Sequence, residues 1–266
     1  MRVVLYVASF FVATIGISLY LFSTETETMF SWTIAVPLTA AFLGAGYWAT
    51  FPLEFLSARS RSWATARVAV PAVWLFTTLT LVVTIVHRDK FHFDADDWNT
   101  IGGTWIWVGV YVSVPVALGA AWIAQLRVGG EDPPRVAPLS RLAQWALGGP
   151  AALLVPVGAL LLVAPVWASS AWPWELTPLT GRAVGAWLLS VGVLLISAVR
   201  AGDWTWLEPV LAMTLSFGIL HLVAIGRYGG DVDWSHPTAY VWGAVLVELL
   251  VLGAVGLRTA RAAKTR

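Results

Sequence analysis

Residues 3–22 read VVLYVASFFVATIGISLYLF, a stretch without a single charged side chain. An α-helix rises about 1.5 Å per residue, so about 20 residues match the roughly 30 Å hydrocarbon core of a bilayer. The stretch is longer than the apolar core of a typical signal peptide, and no small-x-small cleavage site follows it. These residues therefore predict a membrane-spanning helix.

Seven further apolar blocks follow along the chain, with short polar loops between them. Apolar residues make up 58% of the chain and charged residues 12%, whereas a soluble domain carries roughly 25% charge. We therefore expect an all-α, polytopic transmembrane bundle that occupies residues 1–266 as a single domain without a separate soluble part. The predicted spans cover approximately residues 3–22, 31–51, 68–86, 103–125, 143–166, 183–199, 207–225 and 239–257.

The basic residues are distributed unevenly between alternate loops. If the N-terminus is placed in the cytoplasm, the inside segments hold most of the 16 Lys and Arg residues. The acidic residues collect on the other side, in the loops around Asp94, Glu175 and Asp231. Cytoplasmic loops of membrane proteins carry an excess of Lys and Arg. The distribution therefore predicts a multi-pass protein of the plasma membrane with both termini in the cytoplasm.

Several classes of chemistry have no support in the sequence. The chain has no cysteine, which excludes disulfides, thiolate metal sites and cysteine nucleophiles. It has no nucleotide-binding loop, dinucleotide fingerprint, zinc-helix motif or serine-hydrolase elbow, and no basic domain that would indicate nucleic acid. We expect no cofactor and no nucleic-acid partner. The excess of Arg over Lys, with much Ala, Val, Gly and Trp, is typical of a GC-rich bacterial genome.

Two polar residues within the predicted spans form a candidate intramembrane site. Glu248 lies near the middle of the last span, where a charged carboxylate costs about 2.5–3.5 kcal/mol on insertion scales. We therefore expect it to face the bundle interior, either as a proton or cation site or as a neutral acid bonded to a neighbouring helix. Hydroxyls at similar depth are Ser113, Ser190 and Thr77. His221, in the seventh span, is expected to be a packing residue or a second member of this site.

The loop before the sixth span contains the distinctive stretch Trp172-Pro173-Trp174-Glu175-Leu176-Thr177-Pro178-Leu179-Thr180-Gly181-Arg182. Thr180 is placed to cap the helix that follows. Arg182 would then lie in the first turn, where the helix dipole disfavours a cation. We therefore expect Arg182 to pair with an anion such as Glu175 or a lipid phosphate. The Trp172–Trp174 stretch is expected to lie flat at the membrane interface, and Arg182, Glu175 and Arg227 form a candidate outer-face site.

This stretch, together with Arg227-Tyr228 and the Asp233-Trp234 turn, resembles a group of uncharacterised actinobacterial multi-span membrane proteins. They carry a similar Trp-Pro-Trp-x-Leu-Thr-Pro-Leu-Thr-x-Arg stretch. The resemblance covers roughly the last hundred residues, and it implies no function.

Small residues recur at four-residue spacing in or beside three predicted spans. Lipid provides no hydrophobic drive for helix association, so residues that let two backbones approach are favoured at helix contacts. Such contacts are predicted at the pairs Ala40/Gly44, Ala117/Ala121 and Gly181/Gly185.

Three classes of function remain open. The first is transport of a small molecule or ion through the helix bundle, which Glu248 and the proline-kinked spans favour. The second is a structural or accessory subunit of a membrane complex, with a membrane protein or a second copy of the chain as partner in addition to the lipid bilayer. The third is a membrane enzyme whose site at the outer face would gather Arg182, Arg227, Asp94 and Glu175.

The predicted topology is testable by labelling single cysteines, because the chain has no thiol of its own. A cysteine at position 94 should react with a membrane-impermeant maleimide added to the outside of intact cells. Labelling that occurs only from the cytoplasmic side would contradict the predicted orientation.

Overall fold

A computed structural model describes residues 2–128 and 131–264, and within these residues the chain is helical without any strand. The predicted all-α fold is therefore confirmed. We number the eight long helices of the described residues in chain order as α1 Arg2–Leu21, α2 Pro37–Arg59, α3 Val70–Val86, α4 Trp98–Leu126, α5 Arg141–Val163, α6 Pro178–Ala201, α7 Glu208–Tyr228 and α8 Pro237–Lys264.

Seven helical segments of the described chain are long and apolar enough to cross a membrane, and each contains one of the long helices other than α2. This composition is consistent with an integral membrane protein. The exception is α2, which has 23 residues and is buried along most of its length. It carries polar side chains into the bundle, including those of Thr50, Glu54 and Ser57. The apolar helices therefore surround a more polar one.

The helices differ from the predicted spans at their ends, and the differences in α2 and α6 affect the residues discussed below. The α2 helix begins at Pro37, which suits a first helical position because proline lacks an N–H and has a fixed φ. It continues through Pro52 to Arg59, so Glu54 lies within the helix. The α6 helix begins at Pro178, before the predicted residue 183.

The cap of α6 also corrects a prediction. Thr177, not Thr180, is the N-cap: its hydroxyl accepts a hydrogen bond from the N–H of Thr180, and the Thr180 hydroxyl accepts one from the N–H of Thr177. This reciprocal capping box satisfies two backbone donors at the start of the helix. Arg182 consequently lies past the first turn, where the unfavourable field of the helix dipole is weaker.

The helices pack as two connected rows. In one row α1 packs on α2, α2 on α7, and α7 on α8, whereas in the other α5 packs on α6, α6 on α3, and α3 on α4. The rows meet at several helix pairs, including α2 and α6, where a Cβ at Gly46 would lie 2.9 Å from the Trp187 ring. The bundle core is therefore built around these two helices.

Glycines set the closest helix approaches. A Cβ at Gly158 of α5 would lie 2.4 Å from the backbone nitrogen of Leu189 in α6, and one at Gly185 would lie 2.8 Å from the carbonyl oxygen of Gly158. A Cβ at Gly44 would lie 2.5 Å from the backbone nitrogen of Tyr20. The predicted small-residue contacts at Gly44 and Gly185 are confirmed. The one predicted at Ala117 is wrong, because that residue is exposed on α4.

Replacement of Gly158 by Leu should destabilise the bundle. The new side chain would force α5 away from α6, and overpacking of this kind typically costs about 1–3 kcal/mol. Thermal melting in detergent measures the loss. The matched control is Gly148→Leu on the same helix, where a Cβ meets nothing within 4 Å. Equal melting temperatures for the two variants would contradict the close contact.

Candidate functional site

Glu248 does not face the bundle interior, so that prediction is wrong. Its side chain is exposed on α8, on the same face as Val247 and Val251, which are each 50% exposed. The buried face of α8 consists of Val245, Leu246, Ala239, Trp242, Leu249, Leu252, Gly253, Gly256 and Ala260. The sequence indicated how far along α8 Glu248 lies. The direction of its side chain depends on which face of α8 packs against the neighbouring helices.

The buried carboxyl of the bundle is Glu54, which the sequence analysis did not select. Its side chain is 2% exposed, and its Oε2 atom has no hydrogen-bond partner among the described residues. The predicted second span ended at residue 51 and so placed Glu54 in a loop. A signal was present, because Tyr47, Thr50, Glu54 and Ser57 recur at the spacing that places residues on one face of a helix.

Glu54 lines a cavity of about 50 Å³ inside the bundle. Its walls come from α1, α2, α3, α4, α6 and α7, and most of them are apolar. The volume exceeds the roughly 10–15 Å³ that one water requires. The polar residues of the wall are Thr50, Glu54, Thr77, Tyr111 and Ser190.

None of the described residues that line this cavity is basic, so they provide no counter-ion for Glu54. The hydroxyl of Ser190 also has no hydrogen-bond partner among the described residues, although the residue is only 4% exposed. Thr50 and Thr77 instead donate to carbonyls of their own helices, Gly46 and Val73. Buried polar groups normally find partners. Two polar side chains that lack partners among the described residues give this cavity groups that could bind a polar guest such as water.

A pair of tyrosines extends the polar surface from this cavity. The Tyr47 and Tyr111 hydroxyls lie 2.6 Å apart and are buried. Tyr47 also lines a second, smaller cavity of about 10 Å³, which shares Phe76 and Trp187 with the first. Beyond it, the Trp107 indole donates to the Thr84 hydroxyl over 3.0 Å. Polar groups therefore continue from Glu54 toward the end of the bundle where α2 begins.

His221 is a packing residue that lies apart from the Glu54 cavity. It is 1% exposed, and its ring stacks on Phe217 with centroids 3.8 Å apart and meets the edge of Phe42 at 4.6 Å. Its Nδ1 lies 2.8 Å from the Phe217 carbonyl oxygen, which can only accept, so Nδ1 carries the proton. The structure therefore does not bring His221 and Glu248 into one site.

The proline-rich loop inserts into the end of the bundle, so the prediction that it lies flat at the interface is wrong. Trp174 is 4% exposed and donates from its indole nitrogen to the Thr39 hydroxyl over 3.0 Å. The Pro173 carbonyl accepts from the backbone nitrogen of Asp233 at 2.7 Å. Asp231 accepts from the backbone nitrogen of Leu38 at 3.0 Å. Two loops thus hold the first turn of α2.

Among the described residues Arg182 pairs with no carboxylate, so the predicted pairing with Glu175 is wrong, whereas pairing with a lipid phosphate stays a prediction. Arg182 donates to the Leu162 carbonyl at 3.0 Å and to Nε2 of His87 at 2.8 Å. Glu175 is exposed. The Leu162 carbonyl belongs to the last turn of α5, where the helix dipole favours a cation. Burial, together with the charge of Arg182, lowers the pKa of His87 below its usual value.

Arg227 lies in different surroundings. It donates to the Tyr20 carbonyl at 2.9 Å and to the Tyr228 hydroxyl at 3.0 Å, and its guanidinium lies over the Tyr228 ring. Arg182 and Arg227 therefore share no partner, and the structure does not gather the predicted outer-face site. Among the described residues, no group of three or more His, Asp or Glu side chains could hold a metal ion.

The contact between Arg182 and His87 predicts a pH dependence of stability. The unfolded chain has the ordinary His pKa of 6.5, and the folded value is lower. Between these values the unfolded state binds more protons, so stability is present above pH 6.5 and is lost as the pH falls through the lowered pKa. The melting temperature should therefore decrease as the pH is lowered from about 7.5 to about 5.5.

The His87→Gln variant provides the control, because an amide oxygen can still accept from Arg182 but does not titrate. This variant should lose less of its melting temperature over the same pH range. If its pH profile matches that of the wild type, His87 does not cause the dependence.

Comparisons with known protein families, with curated proteins and with solved structures find no match for this chain. The resemblance to an actinobacterial membrane protein group therefore stays a prediction. The functional argument rests on the residues and contacts of the chain itself.

Proposed function

We propose that the chain is an eight-span protein of a bacterial plasma membrane, with both termini in the cytoplasm, that transports protons through its helix bundle without requiring a second solute. Glu54 is the proton-binding group. The observation that carries this proposal is the buried Glu54 carboxyl in a cavity at the centre of the bundle, whose Oε2 has no hydrogen-bond partner in the described part of the chain. In this proposal α2 also crosses the membrane, in addition to the seven helices that are apolar enough to do so by composition.

A carboxyl in these surroundings is suited to carry a proton. A carboxylate taken out of water without a partner is very costly, so the neutral acid is favoured at rest. The cavity has room for water. Water or an entering cation that stabilises the charged form therefore allows the proton to leave. A carboxyl that can exist in both its protonated and its deprotonated form meets the basic requirement for transporting protons.

Burying Glu54 only for packing would be energetically unfavourable. A structural acid in a membrane bundle would be expected to bond to a hydroxyl or backbone carbonyl of a neighbouring helix. Oε2 of Glu54 lacks such a bond, while Thr50 and Thr77 bond to their own helices. The unused capacity of the carboxyl therefore supports transport over a packing role. An outer-face enzyme has less support, since Arg182 and Arg227 bind different groups.

The proposal predicts a proton flux that depends on Glu54. Purified protein is reconstituted into liposomes that contain a pH-sensitive dye, and a potassium diffusion potential set by valinomycin drives proton entry. Wild-type protein should acidify the lumen faster than protein-free liposomes do. Glu54→Gln should reduce the rate to that of protein-free liposomes, because an amide cannot release a proton at neutral pH.

Glu248→Gln is the matched control, because it makes the same chemical change at an exposed position on α8. It should retain the wild-type flux. Equal monodispersity and melting of the three proteins in detergent show that the comparison is between folded proteins. Wild-type flux in Glu54→Gln, or no wild-type flux above protein-free liposomes, would refute the proposal.

A further inference from the structure

A groove of about 400 Å³ lies between α1 and α4, beside the Glu54 cavity. One wall includes Phe10 and Thr14 of α1, the other includes Gly103 and Ile106 of α4, and the short helix Thr26–Met29 contributes to one end. Phe10 is 65% exposed and Ile106 is 58% exposed, so the groove opens sideways between two membrane-length helices. Its volume lies within the roughly 300–1,000 Å³ of small-molecule sites.

The groove and the Glu54 cavity share part of their walls. Phe11 and Ile15 of α1 and Val110 of α4 line both spaces. All three side chains are partly exposed, although Ile15 and Val110 also pack against the hydrophobic core. A single layer of side chains therefore separates the lateral groove from the buried carboxyl, and rotation of a side chain such as Phe11 would join them.

The lining of the groove restricts the charge of a guest. None of its lining residues carries a charge, and four are aromatic: Phe10, Phe11, Phe30 and Trp107. Beyond the shared wall, the cavity adds Phe76, Tyr111 and Trp187 around one carboxyl. Aromatic faces attract cations, most strongly where water is excluded. An anion would find no positive side chain in either space, whereas an apolar cation would find aromatic faces and a carboxylate.

We propose that a lipophilic organic cation enters from the bilayer through the groove between α1 and α4 and exchanges with the proton of Glu54. This inference rests on the proposed function and names its substrate class. The neutral Glu54 acid gives its proton to water as the cation reaches the carboxyl, and the carboxylate then pairs with the cation. One positive charge replaces another, so the buried site avoids an uncompensated charge, which would be strongly unfavourable.

Tetraphenylphosphonium is a suitable probe, because it is a lipophilic, permanently charged cation without titratable groups. Its binding to detergent-purified wild-type protein is measured by calorimetry in two buffers of different ionisation enthalpy, which reports the protons released. Binding should release protons at neutral pH. Glu54→Gln should abolish the proton release and weaken binding, whereas Glu248→Gln should leave both unchanged.

Adjacent glycines on α4 provide a test of the route. A Cβ at Gly102 or at Gly103 meets nothing within 4 Å, so both positions accept a larger side chain, but only Gly103 lines the groove. Gly103→Phe should weaken binding by about tenfold or more, because the added ring occupies space required by the guest. Gly102→Phe should bind as wild type. A series of Gly103→Ala, Gly103→Leu and Gly103→Phe should show a graded effect at unchanged melting temperature.

Three outcomes would overturn the inference: no tetraphenylphosphonium binding to wild type, binding without proton release, or equal effects of Gly102→Phe and Gly103→Phe. If binding is absent while proton flux in liposomes still depends on Glu54, the substrate class is wrong and the proposed function stands. If flux does not depend on Glu54, the proposed function itself fails, whatever the binding result.

Discussion

Burial of the polar helix α2 is the constraint on which the rest of the structure depends. A membrane-spanning segment must satisfy its backbone internally, and its polar side chains need surroundings other than lipid. The α2 helix carries Thr50, Glu54 and Ser57 on buried positions, and the helices around it are apolar. Close approach of α1 at Gly44 and of α6 at Gly46 gives α2 this cover. The cavity contains a carboxyl because α2 brings Glu54 to the centre.

Much of the fold could be predicted because lipid restricts the possible structures. Long apolar blocks must form helices in a bilayer, so block lengths and loop positions indicated eight helical segments. Helix ends were less predictable, since they depend on local bonds such as those between Thr177 and Thr180 that compete closely with alternatives. The α2 helix was placed too early in the chain because its apolar character declines after Thr50 while the helix continues to Arg59.

The candidate site was less predictable than the fold, and Glu248 and Glu54 show why. Hydropathy indicates how deep a residue lies in a span, but the direction of its side chain depends on helix packing. Glu248 shares an exposed face with Val247 and Val251, whereas Glu54 continues a buried face with Tyr47 and Thr50. The partners of Arg182 were equally hard to predict, because the Leu162 carbonyl and the His87 imidazole leave no charge pattern in the sequence.

The way in which α2 is held has a consequence for biosynthesis. Its first turn is bound by Trp174, through Thr39, and by Asp231, through Leu38, and both partners are encoded in the second half of the chain. When α2 leaves the ribosome, only α1 is available to cover it. In the proposed eight-span arrangement, α2, which is not among the seven helices apolar enough to span by composition, is therefore inserted without most of its final neighbours. Its stable integration must await α6 and α7, which makes assembly of this bundle a late, post-insertion event rather than a helix-by-helix one.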